Sequence, residues 1–249
     1  MCLILVAWQT HPDCPLVVAA NRDEFHARPT AAAGRWDDAP QVIAGRDLEA
    51  GGTWLGITDT GRFAAVTNVR EPGAPKGQQS RGGLTADYLR GTQPPADYVA
   101  RIDGDAYSGF NLLVADEQQL YYRSNRDGAA RALPPGIYGV SNHLLDTPWP
   151  KLATAKARFR VALDALPASA ALFDILADRE IAPDTHLPAT GVPLEWERLL
   201  SAIFVSSPTY GTRASTVVLR HADGRVQVEE HSFGPAGEAT QSSLISTGV

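Results

Sequence analysis

The residue whose type and position best suit chemistry is Cys2. Removal of the initiator Met1 is favoured when the second residue is small, and it leaves Cys2 with a thiol and a free α-amine. The reference pKa of an α-amine is about 7.7–8.0, so it can accept the thiol proton without a histidine. The resulting thiolate attacks a carbonyl group. The alternative is that Cys2 is a small apolar residue at the start of a buried strand.

Cys2 also begins the first of several segments that are typical of β-strands. Cys2–Trp8 and Leu16–Ala20 are apolar and rich in β-branched residues, and His11–Pro15 between them suits a turn. This pattern predicts a hairpin whose first strand starts with the candidate nucleophile. The residues from about Gly234 onward are expected to be frayed. Further strands are predicted at Thr53–Thr58, Arg62–Val69, Phe110–Ala115, Leu120–Arg123, Ile137–Ser141, Thr216–Arg220 and Val226–Glu230.

The middle of the chain changes to the apolar spacing of helices. From Trp149 to Leu166 apolar residues recur every three or four positions, and Thr147–Pro148 supplies a start signal. Antiparallel hairpins with helices gathered in the middle predict an α+β layered sandwich rather than βαβ units. Because no repeat or linker divides the sequence, a single domain over residues 1–249 is expected. Other helices are predicted at Leu84–Arg90, Pro95–Arg101, Ser169–Ala177 and Glu195–Leu200.

Composition argues against several function classes. The 22 lysines and arginines oppose 28 acidic residues, for a formal net charge of −6, so neither nucleic acid nor an anionic membrane surface is an expected partner. Cys2 and Cys14 make no disulfide scaffold, and the six histidines form no helical zinc pair, so no metal site is predicted. No apolar stretch approaches the ~20 residues of a membrane span. A soluble, cytoplasmic protein in a reducing compartment is expected.

Motifs rich in glycine and polar residues recur along most of the chain. In order, they are Met1-Cys2, Asn21-Arg22-Asp23-Glu24, GGTWLG (51–56), TN-x-R (67–70), SRG (80–82), GFNLL (109–113), G-x-SN (139–142), TPWPK (147–151) and YGTR (210–213). With these motifs the sequence resembles the NRDE family, whose eukaryotic members are called transport and Golgi organisation protein 2. Any one motif is weak evidence, but the occurrence of these motifs in the family's order, from Cys2 to about Val218, is specific to the family.

The NRDE pattern is in turn similar to the N-terminal nucleophile (Ntn) hydrolases, especially the cysteine branch of bile-salt hydrolases and penicillin V acylases. That resemblance implies an αββα four-layer sandwich with the nucleophile at the end of a central strand. In the cysteine branch an arginine and an aspartate soon after the nucleophile hold its amine and thiol, which makes Arg22 and Asp23 the candidates. The branch usually separates these two residues, whereas here they are adjacent. Which of Arg22, Asp23 and Glu24 faces the thiol is therefore open.

The same resemblance supplies three further candidate site residues. Asn68 and Asn142 match the regions where the branch uses asparagines, and their amides are suited to donate hydrogen bonds to an oxyanion. Arg213 matches a late arginine near the thiol, which lowers the thiol pKa or binds a substrate carboxylate. The structural alternatives are turn or capping roles for the asparagines and a surface ion pair for Arg213.

These residues lead to competing functions. The first is an Ntn amidohydrolase or acyltransferase that uses Cys2 on a non-peptide C–N amide or an acyl thioester and requires no cofactor. The second is a carrier without turnover, because the resemblance implies haem handling or acyl-CoA and lipid metabolism, with Cys2 as a soft ligand to haem iron or as a pocket wall. The third is a purely scaffolding domain, which does not need asparagines and arginines at several strand ends.

Overall fold

A computed structural model describes residues 2–248 of the protein. The chain begins with the predicted hairpin, in which β1 (Cys2–Trp8) pairs antiparallel with β2 (Leu16–Phe25). In this register Cys2 lies directly opposite Arg22. Residues that face each other across an antiparallel pair point to the same side of the sheet, so the two side chains share a face.

The second strand is longer than its apolar run predicts. It passes Ala20 and reaches Phe25, so the polar segment Asn21–Glu24 belongs to the strand and is not a turn. The extension forms because β11 (Tyr210–Arg220) pairs with β2 along its whole length, as far as Tyr210 opposite Phe25. Pairing with β11 as far as Phe25, together with pairing with β1 as far as Arg22, therefore overrides the turn preference of these polar residues.

The first sheet has the strand order β10-β1-β2-β11-β12-β13, so β1 is a central strand. The second sheet runs from β3 to β9 in chain order. The remaining strands of the first sheet are β10 (Gly136–Val140), β12 (Val226–Phe233) and β13 (Ala239–Ser246). Those of the second are β3 (Thr30–Trp36), β4 (Ala39–Asp47), β5 (Leu55–Thr58), β6 (Phe63–Asn68), β7 (Phe110–Ala115), β8 (Leu120–Ser124) and β9 (Asp127–Leu133).

The two sheets pack face to face over an apolar core. Alternate residues of β1, such as Ile4 and Val6, meet Ile57 and Phe63 of the second sheet in this core. The other face of β1, with Leu3 and Leu5, packs against helices instead. Because side chains alternate along a strand, Cys2 lies on the face that looks toward the second sheet.

Helices cover the outer face of each sheet. Two of them, α3 and α4, cover the first sheet, whereas α1 and α2 cover the second. The resulting order is helix, sheet, sheet, helix, which is the predicted αββα four-layer sandwich. The helices are α1 (Arg81–Arg90), α2 (Pro95–Ala100), α3 (Pro150–Ala162), α4 (Ala170–Leu176) and α5 (Leu194–Leu199).

The prediction of a frayed C-terminal end is wrong. Ala239–Ser246 forms β13, which pairs with β12 at the edge of the first sheet. Thr30–Trp36 and Asp127–Leu133 were not predicted as strands either. Their alanines, glycine and charges give little β-propensity, so the neighbouring strands determine their conformation. Within residues 2–248, every helix is too short or too polar to cross a bilayer.

Candidate active site

A cleft of about 300 Å³ opens beside the first residue of β1, between the two sheets. Cys2, Arg22, Asp23 and Asn68 all line this cleft. The fold therefore brings together four of the six predicted site residues, although Asn68 comes from the second sheet. Their assembly needs the stacking of the two sheets and does not follow from neighbouring positions in the sequence.

Arg22 and Glu24 are the residues of the NRDE motif that share the face of Cys2, and Arg22 is the nearer of the two in the register. It lies opposite Cys2 in the register, and its guanidinium stacks on the Trp54 ring at 4.3 Å. Its Nη1 also donates a hydrogen bond to Oγ1 of Thr30 at 3.1 Å. The ring and the hydroxyl hold the cation beside the thiol, where it opposes the rise in the thiol pKa.

Asp23 points to the other side of the first sheet, toward the helix layer, as strand alternation predicts. The residue is 2% exposed, and its Oδ1 accepts a hydrogen bond from Oγ1 of Thr212 at 2.8 Å. The hydroxyl of Tyr210 donates to the Asp23 backbone carbonyl at 3.0 Å. Burial raises the pKa of this carboxyl, and the positive charge of Lys151 opposes that rise.

Asn21 and Glu24 complete the motif with different surroundings. Asn21 is 1% exposed and lies outside the cleft, where its Nδ2 donates to the carbonyls of Leu176 and Ile203. Glu24 lines the cleft, with its Oε2 4.0 Å from Nη2 of Arg22. Thus Arg22 faces the thiol from the opposite strand, Glu24 lies beside Arg22, and Asn21 binds the helix layer to the sheet.

The surroundings of Cys2 favour the thiol over the thiolate. Burial raises its pKa above the usual value, although the Asp23 backbone N–H and the Arg22 cation oppose the shift. None of the described residues that line the cleft is a histidine. The prediction that Met1 is removed to expose an α-amine concerns a residue outside the described range.

The two predicted oxyanion residues occupy different depths. Asn68 ends β6 and lines the cleft, whereas Asn142 is fully buried behind it. The Nδ2 of Asn142 donates to the Asn68 backbone carbonyl at 3.1 Å, and Oγ of the adjacent Ser141 donates to the Cys2 carbonyl at 2.9 Å. In this arrangement Asn68 borders the space for a substrate, and Asn142 supports the backbone that carries it.

Arg213 does not line the cleft. Its Nη1 lies 3.1–3.2 Å from the backbone carbonyls of Phe25, His26 and Arg28, to which it donates hydrogen bonds. These contacts close the turn that follows β2, immediately after Arg22 and Glu24. The structure thus gives Arg213 a contact with the strand end rather than with the thiol, and its predicted chemical role stays a prediction.

A family model described as Transport and Golgi organisation 2 matches residues 1–235. The chain belongs to this family. A bovine relative named Transport and Golgi organization protein 2 homolog is 37% identical, with 94% of this chain and 93% of the relative covered. The human protein of the same name is 36% identical over the same shares, and the Drosophila melanogaster family member is 30% identical over 96% and 95%.

Solved structures show that this chain has the Ntn-hydrolase fold. A Caenorhabditis elegans N-acylethanolamine-hydrolyzing acid amidase ortholog superposes with a TM-score of 0.50 and 14% identity, covering 87% of this chain and 92% of its own. The C2A mutant of conjugated bile acid hydrolase from Clostridium perfringens superposes with a TM-score of 0.52 and 8% identity, covering 98% and 92%. At these identities the likeness shows the fold alone.

Several side chains of this family member join the cleft without having been assigned a role from the sequence. Arg81, the first residue of α1, lines the cleft and donates from Nη1 to the Gly109 carbonyl at 3.2 Å. Trp54 borders the cleft, and the guanidinium of Arg22 lies over its ring. The two residues belong to the SRG and GGTWLG motifs, so the sequence marks their segments as candidates. The motifs do not show which residues lie next to them in space.

Lys151 is the other residue that sequence reasoning missed. It ends the TPWPK motif as the second residue of α3, yet it is only 4% exposed. Trp149, two residues earlier, lies outside the cleft, with the Arg70 guanidinium 4.8 Å from its ring centre. A lysine at the start of a helix is typical of a solvated surface, so only the packing of α3 on the first sheet reveals its burial.

Proposed function

We propose that this protein is an N-terminal nucleophile hydrolase or acyltransferase in which processed Cys2 attacks a non-peptide amide or an acyl thioester. The observation that carries the proposal is the position of Cys2, which borders the cleft opposite Arg22 and next to Asp23. A cysteine that only filled a core would not need a buried carboxylate and a stacked arginine at its side.

In the proposed reaction, the α-amine of processed Cys2 takes the thiol proton and Sγ attacks the carbonyl carbon. Negative charge moves to the carbonyl oxygen, for which we assign the Asn68 side-chain amide as a donor. Collapse of the tetrahedral intermediate breaks the C–N or C–S bond, and the ammonium returns its proton to the leaving amine or thiol. Water, or an acceptor nucleophile in a transferase, then attacks the acyl-cysteine and restores the thiol.

The cleft lining supports a substrate with a polar or anionic group near its acyl bond. Arg28 binds Asp47 at 2.7 Å, so this pair of cleft residues largely neutralises itself. Arg81 and Lys76 add positive charge to the cleft lining. Guanidinium and ammonium groups in such positions bind carboxylates and phosphates.

The alternative function is ligand binding without turnover, with haem or acyl-CoA as the ligand. The cleft residues fit a haem poorly, because charged and polar groups dominate the lining and Trp54 and Val66 are its large apolar members. Burial also raises the pKa of the Cys2 thiol, which disfavours the thiolate that ligates haem iron. A polar acyl donor suits the same lining better, and this favours the first function.

The test combines intact-mass measurement with a cysteine-directed acyl electrophile. We expect the purified protein to lack Met1 and to form one covalent adduct, located on Cys2 by peptide mapping. Cys2→Ala should abolish the adduct, whereas the matched control Cys14→Ala should leave it unchanged. Complete retention of Met1 removes the base and defeats the mechanism. A fully processed protein whose Cys2 forms no acyl adduct points to the carrier function instead.

A further inference from the structure

We propose that Thr212 is a positioning residue of the Cys2 site, whose hydroxyl holds the Asp23 carboxylate in the orientation that keeps the terminal amine beside the thiol. Thr212 belongs to the YGTR motif and does not line the cleft, so it acts on the reaction through Asp23 and not on a substrate. The inference deepens the proposed function and rests on it, because the amine is free only after Met1 is removed.

Thr212 and Asp23 are in direct contact. The two residues lie opposite each other in the pairing of β11 with β2, and Oγ1 of Thr212 donates to Oδ1 of Asp23 at 2.8 Å. Both residues are almost completely buried, with 1% and 2% of their surface exposed. A hydrogen bond from a hydroxyl to a carboxylate is stronger than one between neutral groups, and burial excludes competing water. The contact therefore fixes the direction of the carboxylate.

The single proton of the Thr212 hydroxyl is directed at Asp23. The backbone N–H of Val205 donates to Thr212 Oγ1 at 2.9 Å, and the Thr212 N–H donates to the Val205 carbonyl at 2.8 Å. A hydroxyl has one proton to donate, so an oxygen that accepts from Val205 directs this proton to Asp23. Because a carboxylate only accepts hydrogen bonds, the arrangement favours ionised Asp23 and opposes the rise in its pKa on burial.

A β-bulge brings Thr212 to the side of the sheet on which the Asp23 side chain lies. Thr212 is opposite Asp23, and Ala214 is opposite the preceding residue of β2. Arg213 is therefore an extra residue of β11. Side chains alternate along a regular strand, so without this extra residue Thr212 would lie on the other side of the sheet from Asp23. Bulges are common next to active sites, where they redirect a side chain.

The neighbouring residues of the motif act on the same part of β2. The Tyr210 hydroxyl donates to the Asp23 backbone carbonyl at 3.0 Å, so β11 holds both the backbone and the carboxylate of Asp23. Between the two donors, Gly211 packs so closely that a Cβ atom would lie 2.8 Å from the Val205 carbonyl oxygen. A side chain there would push Val205 away from Thr212. The motif residues from Tyr210 to Thr212 thus form one support for Asp23.

The orientation of Asp23 matters because Cys2 is its neighbour. Cys2 is opposite Arg22, so the α-amine lies at the end of β1 that is level with Asp23. A carboxylate directed at this amine holds it in place and raises its pKa, so the amine takes the thiol proton more readily. A carboxylate that acts through its charge alone has the opposite effect, because it raises the thiol pKa. The two roles therefore predict opposite results when the Thr212 hydroxyl is removed.

The experiment measures the rate of Cys2 alkylation by iodoacetamide at pH 7, resolved from Cys14 by peptide mass spectrometry, in protein whose intact mass shows the loss of Met1. We expect Thr212→Val, which keeps the side-chain shape but lacks the hydroxyl, to slow alkylation about three- to tenfold. Thr212→Ser retains the hydroxyl and should alkylate within about twofold of the wild type. If Thr212→Val does not fold, Thr212→Ala makes the same comparison.

Thr216→Val is the matched control. Thr216 lies on the same strand and also donates to a buried carboxylate, Oε2 of Glu230, at 2.8 Å. Its loss should lower the melting temperature as Thr212→Val does, but should leave Cys2 alkylation within about twofold of the wild type. Asp23→Asn tests the route of the effect, because Thr212→Val should then change alkylation by less than about twofold.

Alkylation that is unchanged or faster in Thr212→Val, or equally slow in Thr216→Val, overturns the proposal. A further slowing by Thr212→Val in the Asp23→Asn protein overturns it as well. Because alkylation needs no substrate, a processed protein whose Cys2 forms no acyl adduct refutes the proposed function but leaves the comparison among these variants intact. Complete retention of Met1, seen in the intact mass, contradicts both.

Discussion

Two arginines of the family motifs look alike in the sequence but have different tasks at the end of β2. Arg22 shares the face of Cys2 and stacks on Trp54, so its charge acts within the cleft. The Arg213 guanidinium donates hydrogen bonds to three backbone carbonyls, and these bonds fix the turn that follows the strand. The sequence identifies both as candidates because motif membership does not reveal which partner a guanidinium meets.

This difference predicts opposite effects of removing each cation. Arg22→Met should slow Cys2 alkylation at pH 7 about three- to tenfold, because the thiolate loses a neighbouring positive charge. Arg213→Met should alkylate within about twofold of the wild type but lower the free energy of unfolding by about 1–2 kcal/mol, since three carbonyls lose a donor. Iodoacetamide kinetics and urea unfolding measure the two quantities. Slower alkylation in Arg213→Met alone would reverse the assignment.

At the scale of elements, β2 is the strand that joins the site to the helix layer. Its apolar half was predicted from Leu16–Ala20, whereas its polar half was interpreted as a turn. The polar residues remain in the strand because other elements satisfy them. Asn21 donates to the carbonyl of Leu176 at the end of α4 and to that of Ile203 before β11, and its Oδ1 accepts a hydrogen bond from Oγ of Ser215 at 2.6 Å. Such long-range partners cannot be read from local propensity.

Asn21 should accordingly be a stability residue rather than a catalytic one. Asn21→Ala leaves two carbonyls and a hydroxyl buried without their partner, and we expect a loss of about 3–5 kcal/mol in the free energy of unfolding by urea. Ser215→Ala, which removes a single partner of the same amide, is the control and should cost about 1 kcal/mol. A loss below about 1 kcal/mol for Asn21→Ala would show that the network contributes little.

At the scale of the whole molecule, the site exists only because two sheets stack. The sequence predicts Cys2 and its hairpin well, since both depend on a local apolar pattern. It does not predict that Arg81 lines the cleft or that Lys151 is buried, because sheet stacking and helix docking create those surroundings. The strands Thr30–Trp36 and Ala239–Ser246 were missed for the same reason, as edge pairing outweighs their weak propensity.

The stacking also depends on a carboxyl group that bridges the two sheets. Glu230 of β12 is 2% exposed, and its Oε1 accepts a hydrogen bond from the backbone N–H of Ala33 in β3 at 2.6 Å. Its Oε2 accepts one from Oγ1 of Thr216 at 2.8 Å. Burial raises the pKa of Glu230, which means that the folded protein binds this proton more tightly than the unfolded chain.

The sign of the linkage predicts how a neutral amide at this position behaves. Because the folded-state pKa is raised, the ionised carboxylate costs stability at neutral pH, and that cost falls as the pH drops through the folded-state value. Glu230→Gln keeps an acceptor for Ala33 and a group that can bind Thr216, without the charge. We therefore expect its free energy of unfolding to equal or exceed that of the wild type at pH 7, with the difference shrinking toward pH 5.

Glu230→Ala, which loses both hydrogen bonds, should be less stable than the wild type by about 2–3 kcal/mol at either pH. Urea unfolding at pH 7 and pH 5 measures the free energy of unfolding of all three proteins. If Glu230→Gln loses more stability relative to the wild type at pH 7 than at pH 5, the charge itself holds the sheets together.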